Sequence, residues 1–134
     1  MAPELWTLAA PLKQGDGWVL LPALVPPPER RGIVLIDPPF EQRREFQTIV
    51  EALRQALRRW RGGIYMIWYP LKGRRDVDGF ARHIRALGAK ALRWEVSLFR
   101  VERVDRLNGC GVIILNPPWK LDEDLSLLAP DLLK

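Results

Sequence analysis

The run Ile33-Val34-Leu35-Ile36 limits the fold of this chain more than any other stretch, because of what stops it. Four apolar, mostly β-branched residues follow one another with no polar alternation. That is the pattern of a strand covered on both faces, as in a parallel sheet. Asp37-Pro38-Pro39-Phe40 comes next. Proline cannot donate to a central ladder, so the chain has to turn there. The turn falls at the strand's carboxyl end, where open α/β sheets bind ligands.

The corner has chemistry of its own. An ionised Asp37 accepts hydrogen bonds, and so does the Pro38 carbonyl, which the rings hold stiffly. Two neighbouring acceptors can hold both hydrogens of an exocyclic amine. Phe40 offers a flat face to a base taken out of its stack. The competing reading is purely structural: a strand ending in a rigid turn with a capping aspartate.

The remaining chain reads as a frame for this strand. Residues 1–11 are mixed and carry no clear pattern. Asp16, between Gly15 and Gly17, either caps a short helix that Pro22 disrupts or ends a strand. Pro26-Pro27-Pro28-Glu29-Arg30-Arg31-Gly32 is a stiff loop into the central strand. After Phe40, spacings of three and four put Phe46, Ile49, Val50, Leu53, Ala56, Leu57 and Trp60 on one helical face. Arg43, Arg44, Arg54, Arg58 and Arg59 fall on the other face, interspersed with Glu45 and Glu51; they either contact nucleic-acid phosphates or, on balance, form a solvated helix face. Gly62-Gly63 ends the helix.

Residues 64–69 predict a second buried strand, closed by Pro70. Lys72, Arg74 and Arg75 form a basic loop at its carboxyl end. Val77, Phe80, Ala81, Ile84 and Leu87 mark a second helix with Gly88 as its cap. Residues 91–101 predict a third strand and 111–115 a fourth. A tight turn at Asn108-Gly109, in a loop over 102–109, makes them antiparallel. Asn116-Pro117-Pro118-Trp119 echoes the first corner, either lining a pocket or, on balance, only turning the chain. A last helix gathers Leu121, Leu125, Leu128 and Leu132, has Asp122, Glu123 and Asp124 at its positive end, and breaks at Pro130. Strand-helix-strand units are right-handed, which sets the first two strands parallel.

Charge and composition exclude several classes. The 134 residues suffice for one domain with a real core. A net charge of +5 suits a polyanionic partner, or simply a basic surface. Cys110 is the single cysteine and His83 the single histidine, so neither an internal disulfide nor a histidine–cysteine metal site can form. A cytoplasmic setting follows most easily from that cysteine usage, and with no apolar run of spanning length no membrane partner is expected.

Several blocks together carry a resemblance. Asp37-Pro38-Pro39-Phe40 resembles the Asp-Pro-Pro-Tyr/Phe motif of amino-methyltransferases that use S-adenosylmethionine. With the proline-rich block 26–32, Gly63-Ile64-Tyr65, Trp68-Tyr69-Pro70 and Asn116-Pro117-Pro118-Trp119-Lys120, the chain from about Gly15 to its C-terminus is similar to the RlmJ family. Those enzymes methylate the exocyclic amine of an adenine in large-subunit ribosomal RNA. An older label for the family concerns the use of external DNA. The resemblance implies an α/β fold: the C-terminal half of a class I methyltransferase (Rossmann-like) sheet, with parallel strands ending in an antiparallel hairpin. It implies that Asp37 and Pro38 grip the target amine, Pro39 stiffens the turn and Phe40 stacks on adenine. It implies S-adenosylmethionine as cofactor, with Asp16, Gly17 and Asp37 near it, and ribosomal RNA as partner ahead of DNA, contacted by Lys72, Arg74 and Arg75. No metal is implied.

Family members are roughly twice as long, and their first half carries the glycine-containing cofactor loop and an acidic strand end. The expectation is therefore one partial methyltransferase domain over 1–134 without the N-terminal cofactor-binding half. Its activity alone is in question, and self-association through an unpaired strand edge is expected. The alternative is a nucleic-acid-binding remnant without catalysis. A nuclease is a weaker third idea, because Asp37 has only Glu41 as a nearby carboxylate.

Overall fold

A computed structural model describes residues 13–41, 44–100, 103 and 105–132. Among these, the order is α1 (Gly17–Leu24), β1 (Ile33–Ile36), α2 (Glu45–Arg59), β2 (Ile64–Pro70), α3 (Arg74–Arg85), β3 (Ala91–Ser97), β4 (Gly109–Leu115) and α4 (Leu121–Leu132). The strands form one sheet in the order β1-β2-β4-β3. β1 and β2 are parallel, and β4 runs antiparallel to both β2 and β3. The chain therefore passes from β2 through α3 to the far edge at β3, then returns to fill the gap with β4.

Register explains the core. Val34 lies beside Tyr65 and Ile36 beside Ile67; Tyr65, Ile67 and Tyr69 lie beside Leu115, Ile113 and Gly111. Partners across a ladder share a face. On this face Tyr65, Ile67, Tyr69, Ile113 and Leu115 are fully buried, under Ile49, Leu53, Ala56 and Leu57 of α2 and Val77, Phe80 and Ile84 of α3. In α2 and α3 the apolar stripes read from helical spacing are the stripes that pack, whereas the leucine stripe of α4 buries no residue. Gly88 takes φ +79°, a left-handed cap that favours glycine, and its N–H bonds the Arg85 carbonyl.

The other face corrects an expectation. Ile33 and Leu35 remain 65% and 66% exposed, so β1 is covered on one face only. β1 is also the sheet edge, with one side of its backbone unpaired by any described strand. Two of the four side chains in this uninterrupted apolar run face outward.

Three boundaries differ from the sequence reading. β3 ends at Ser97, not 101; Val101, Glu102 and Arg43 lie outside the described residues. Asn108-Gly109 is not a tight turn, because Gly109 already pairs with Ser97. Instead Asn108 is fully buried, and its amide Nδ2 donates to the carbonyls of Leu71, Lys72, Arg103 and Arg106. Pro130 sits within α4, which runs on to Leu132 and buries no residue.

The inserted strand depends on glycine. A Cβ on Gly111 would lie 2.5 Å from Cζ of Tyr69, and one on Gly109 would lie 1.9 Å from the Val96 carbonyl oxygen. Gly111→Ala is expected to lower unfolding free energy by about 1–3 kcal/mol, because the Tyr69 ring must leave its place. Urea denaturation of the two chains measures this; an unchanged midpoint would show that the ring has room to move.

Candidate active site

The four-residue corner stands at the carboxyl end of β1. Asp37 is exposed, and among the described residues no ion pair engages its carboxylate. Pro38 and Pro39 hold the turn, and Phe40 follows with φ +53°. That left-handed conformation costs a residue with a side chain about 1–2 kcal/mol. Packing offsets it: the Phe40 ring lies 5.4 Å from Phe46 and 6.0 Å from Trp68, centroid to centroid. The corner is thus held in one shape by its last ring, while its carboxylate stays in solvent.

Asp16 comes to the same end of the molecule. Its Oδ1 accepts the Trp18 N–H at 2.9 Å and caps α1, which settles the open choice between cap and strand end. Trp18 shares a shallow surface cleft with Arg44, Gln47 and Thr48 at the start of α2. At the other end of α1, the Val25 carbonyl accepts from Arg59 Nε at 3.1 Å, at the end of α2. α1 therefore runs beside α2 in the same sense, and both start at the end where β1 delivers Asp37. A Cβ on Gly17 would meet nothing within 4 Å, so internal packing does not require glycine there.

The basic loop divides. Lys72 and Arg75 line a cleft of about 650 Å³ together with Phe40, Glu45, Phe46 and Arg82. Asp37 is not among its lining residues; Phe40 is the member of the corner that reaches the wall. Arg74 turns the other way and binds Glu95 Oε2 at 2.5 Å. Glu95 also accepts from Arg93 Nε at 2.7 Å and from the Tyr69 hydroxyl at 2.9 Å, and Arg93 reaches Asp78 at 2.8 Å. Burial alone would raise the Glu95 carboxyl, but the hydrogen bonds from Arg74, Arg93 and Tyr69 prevail and hold it below the usual range. Burial, and the Glu95 carboxylate beside it, push the Tyr69 hydroxyl up.

Asn116-Pro117-Pro118-Trp119 is at the opposite end of the sheet. β4 runs antiparallel to β2, so its carboxyl end meets the start of β2. Asn116 takes φ +52°, and its Nδ2 donates to the carbonyls of Arg61 and Gly63 at 2.7 and 2.8 Å. This second corner turns the chain and lines no part of the first. Cys110 is a free thiol on β4, and no group of three or more metal-binding side chains occurs among the described residues. No helix among them is long and apolar enough to cross a membrane.

Sequence reading placed Glu45 on the solvated face, but it is only 7% exposed. The signal was present: Glu45 stands four before Ile49 and seven before Ala52, in line with the buried stripe. Charge alone argued it outward.

A carboxylate-proline-proline-aromatic corner at the end of β1, on a sheet ordered β1-β2-β4-β3, defines one half of a class I methyltransferase fold. The family model described as "Ribosomal RNA large subunit methyltransferase D, RlmJ" matches residues 7–134, and the chain belongs to that family. It is 33% identical over 122 residues to "Ribosomal RNA large subunit methyltransferase J" of Escherichia coli, covering 90% of this chain and 44% of that protein. The protein of the same description from Haemophilus influenzae is 32% identical over 124 residues, covering 92% and 44%. A crystal structure of a protein from Legionella pneumophila matches with a TM-score of 0.81 and 33% identity, over 88% of this chain and 44% of that one. The chain spans less than half the length of these relatives.

The Glu95 cluster makes a pH-dependent prediction. Its folded pKa lies below the unfolded value, so its contribution is present above the unfolded glutamate pKa and is lost as pH falls through the folded one. Glu95→Gln is expected to be less stable than the natural chain at neutral pH. The gap should close as pH drops below about 4.3, the unfolded value. Thermal melts of both chains at several pH values check this, and a gap that widens on acidification would contradict it.

Proposed function

We propose that this chain carries the amine-gripping half of an S-adenosylmethionine-dependent enzyme that methylates the exocyclic amine of adenine in large-subunit ribosomal RNA. The observation that carries the reading is the Asp37 corner. It presents a solvent-facing, unpaired carboxylate next to a stiffened carbonyl, with Phe40 fixed beside them by Phe46 and Trp68. Family membership supports the reaction class, and the family's description supports ribosomal RNA as substrate.

The roles follow from the chemistry of the groups. Asp37 and the Pro38 carbonyl accept the two amine hydrogens. This turns the nitrogen lone pair away from conjugation with the ring and fixes its direction. Neither group needs to remove a proton before the nitrogen attacks. Pro39 removes slack from the turn. Phe40 stacks on the adenine and keeps its left-handed backbone because its ring is packed. Phenylalanine supplies the stacking face of the family's usual tyrosine without a hydroxyl.

The residues present fit one part of the cofactor. Asp16 has a second carboxylate oxygen beyond the one that caps α1, and Gly17 leaves its flank open, which suits an adenine amine and a close backbone approach. When bound, S-adenosylmethionine supplies an electrophilic methyl group on a sulfonium. The Asp37 carboxylate would interact favourably with that charge. Lys72 and Arg75 suit the RNA backbone. Arg74 contributes to the rim mainly by anchoring the loop to Glu95. Such a reaction belongs in the cytoplasm, on ribosomal RNA ahead of DNA.

Methyl transfer to ribosomal RNA from radiolabelled S-adenosylmethionine tests the reading, on this chain and on one joined to the first half of a relative. Asp37→Ala is expected to lower transfer by at least about a hundredfold, at little cost in RNA affinity. Unchanged transfer in that variant removes Asp37 from the mechanism. RNA binding with no heat on titration with S-adenosylmethionine, in both proteins, is the outcome that favours a binding protein without turnover.

The open edge gives a second prediction. β1 offers unpaired backbone with Ile33 and Leu35 exposed beside it. An apolar groove of about 400 Å³ between α1 and β1 adjoins them, lined by Leu20, Leu24, Val25, Ile33 and Trp60. The chain is expected to self-associate through this edge, and Leu35→Lys to reduce association. Size-exclusion chromatography across concentration reads the result; a monomer throughout would count against it.

A further inference from the structure

The cleft beside Phe40 holds a carboxylate that no described side chain engages. Glu45 lines it, is 7% exposed, and has no hydrogen-bond or ion-pair partner among the described residues. Its place in the first turn of α2 lets the helix dipole favour the negative charge. Since no buried side-chain oxygen among the described residues lacks a partner, its carboxylate oxygens open to the cleft, where a donor edge can reach them. Around it lie Lys72, Arg75 and Arg82, all exposed, and no ion pair engages them among the described residues. Phe40 and Phe46, half-buried, supply an apolar wall. The cleft's volume of about 650 Å³ falls within the roughly 300–1,000 Å³ of small-ligand sites.

Resting on the RNA reading above, we infer that this cleft takes the base of a nucleotide next to the target adenine, and that Glu45 selects guanine there. The three cations match a phosphate, and the rings match a base plane. Glu45 decides which base. An ionised carboxylate only accepts, so it fits an edge made of donors. Guanine sets N1–H and the 2-amino group side by side, matching both carboxylate oxygens. Adenine and cytosine each offer one amino group beside a ring acceptor. Uracil offers N3–H between two carbonyls, which repel a carboxylate. Phe40 is shared by the two sites: it stacks on the target base on one side and walls the neighbour's cleft on the other. Glu45 is thus a specificity-determining residue, apart from the reacting atoms.

Titration of the chain with the 5′-monophosphates of guanosine, adenosine, cytidine, uridine and inosine, followed by amide NMR shifts, tests this. The guanosine nucleotide is expected to bind about tenfold more tightly than the adenosine, cytidine and uridine nucleotides. Inosine keeps N1–H but lacks the 2-amino group, so it should fall between. Glu45→Gln sets an amide donor against a guanine donor and should abolish the preference. Arg75→Gln should weaken all five nucleotides about equally. Equal binding of the guanosine and inosine nucleotides by the natural chain overturns the assignment, and needs no variant to fold. A guanine preference that survives in Glu45→Gln overturns it as well. The readout is binding, so failure of methyl transfer with the preference intact would remove the role of Asp37 and leave that of Glu45 standing.

Discussion

β4 lies between β2 and β3, and this insertion is possible only where two residues carry no side chain. Gly111 lets the Tyr69 ring lie against the backbone, and Gly109 lets β4 approach the Val96 carbonyl of β3. Once β4 is in place, β3 sits at the edge, with Arg93 and Glu95 on the helix-covered face. Glu95 then gathers Tyr69, Arg93 and Arg74, linking β2, β3 and the start of α3. The start of β4 brings Asn108 under the β2–α3 loop, where its amide donates to the Leu71 and Lys72 carbonyls as well as to those of Arg103 and Arg106 in its own loop. The β2–α3 loop with Lys72, and the first turn of α3 with Arg75, are therefore held from two sides by groups that depend on one strand's position.

The sheet is built from one side. Helices α1 to α3 cover the face of Tyr65, Ile67 and Tyr69, and the opposite face of β1 is open. β1 is one of the two edges of the sheet, β3 the other. The Asp37 corner shares the β1 edge. The cleft of Phe40 and Glu45 lies apart from Asp37, between α2 and α3.

Much of the fold was legible because burial and period agree. The stripe from Ile49 to Leu57 packs as its spacing says, and Gly88 caps α3 with the left-handed turn that glycine allows. The corner at Asp37 was legible because proline stops a strand in a way no tertiary contact can reverse. Two residues were misjudged because their partners are distant in sequence, and a third for its charge. Asn108 looked like a turn residue, and its role depends on carbonyls thirty-six and thirty-seven residues away. Arg74 looked like its neighbours, and its role depends on Glu95, twenty-one residues on. Glu45 looked solvated because it is charged, although its position lay on the buried stripe.

Residue order alone determined the type of most segments, the apolar faces of α2 and α3, and which residues form the rigid corner, because these follow from local sterics and from apolar spacing. Only the tertiary structure decided that β4 enters between β2 and β3, that the two proline corners lie at opposite ends of the sheet, and that Lys72 and Arg75 share a cleft with Phe40 and Glu45 while Arg74 does not. Those outcomes depend on strand direction and on contacts between distant residues. Local propensity does not encode such contacts; they arise when the chain closes on itself and each buried polar group must find whatever partner the packing brings.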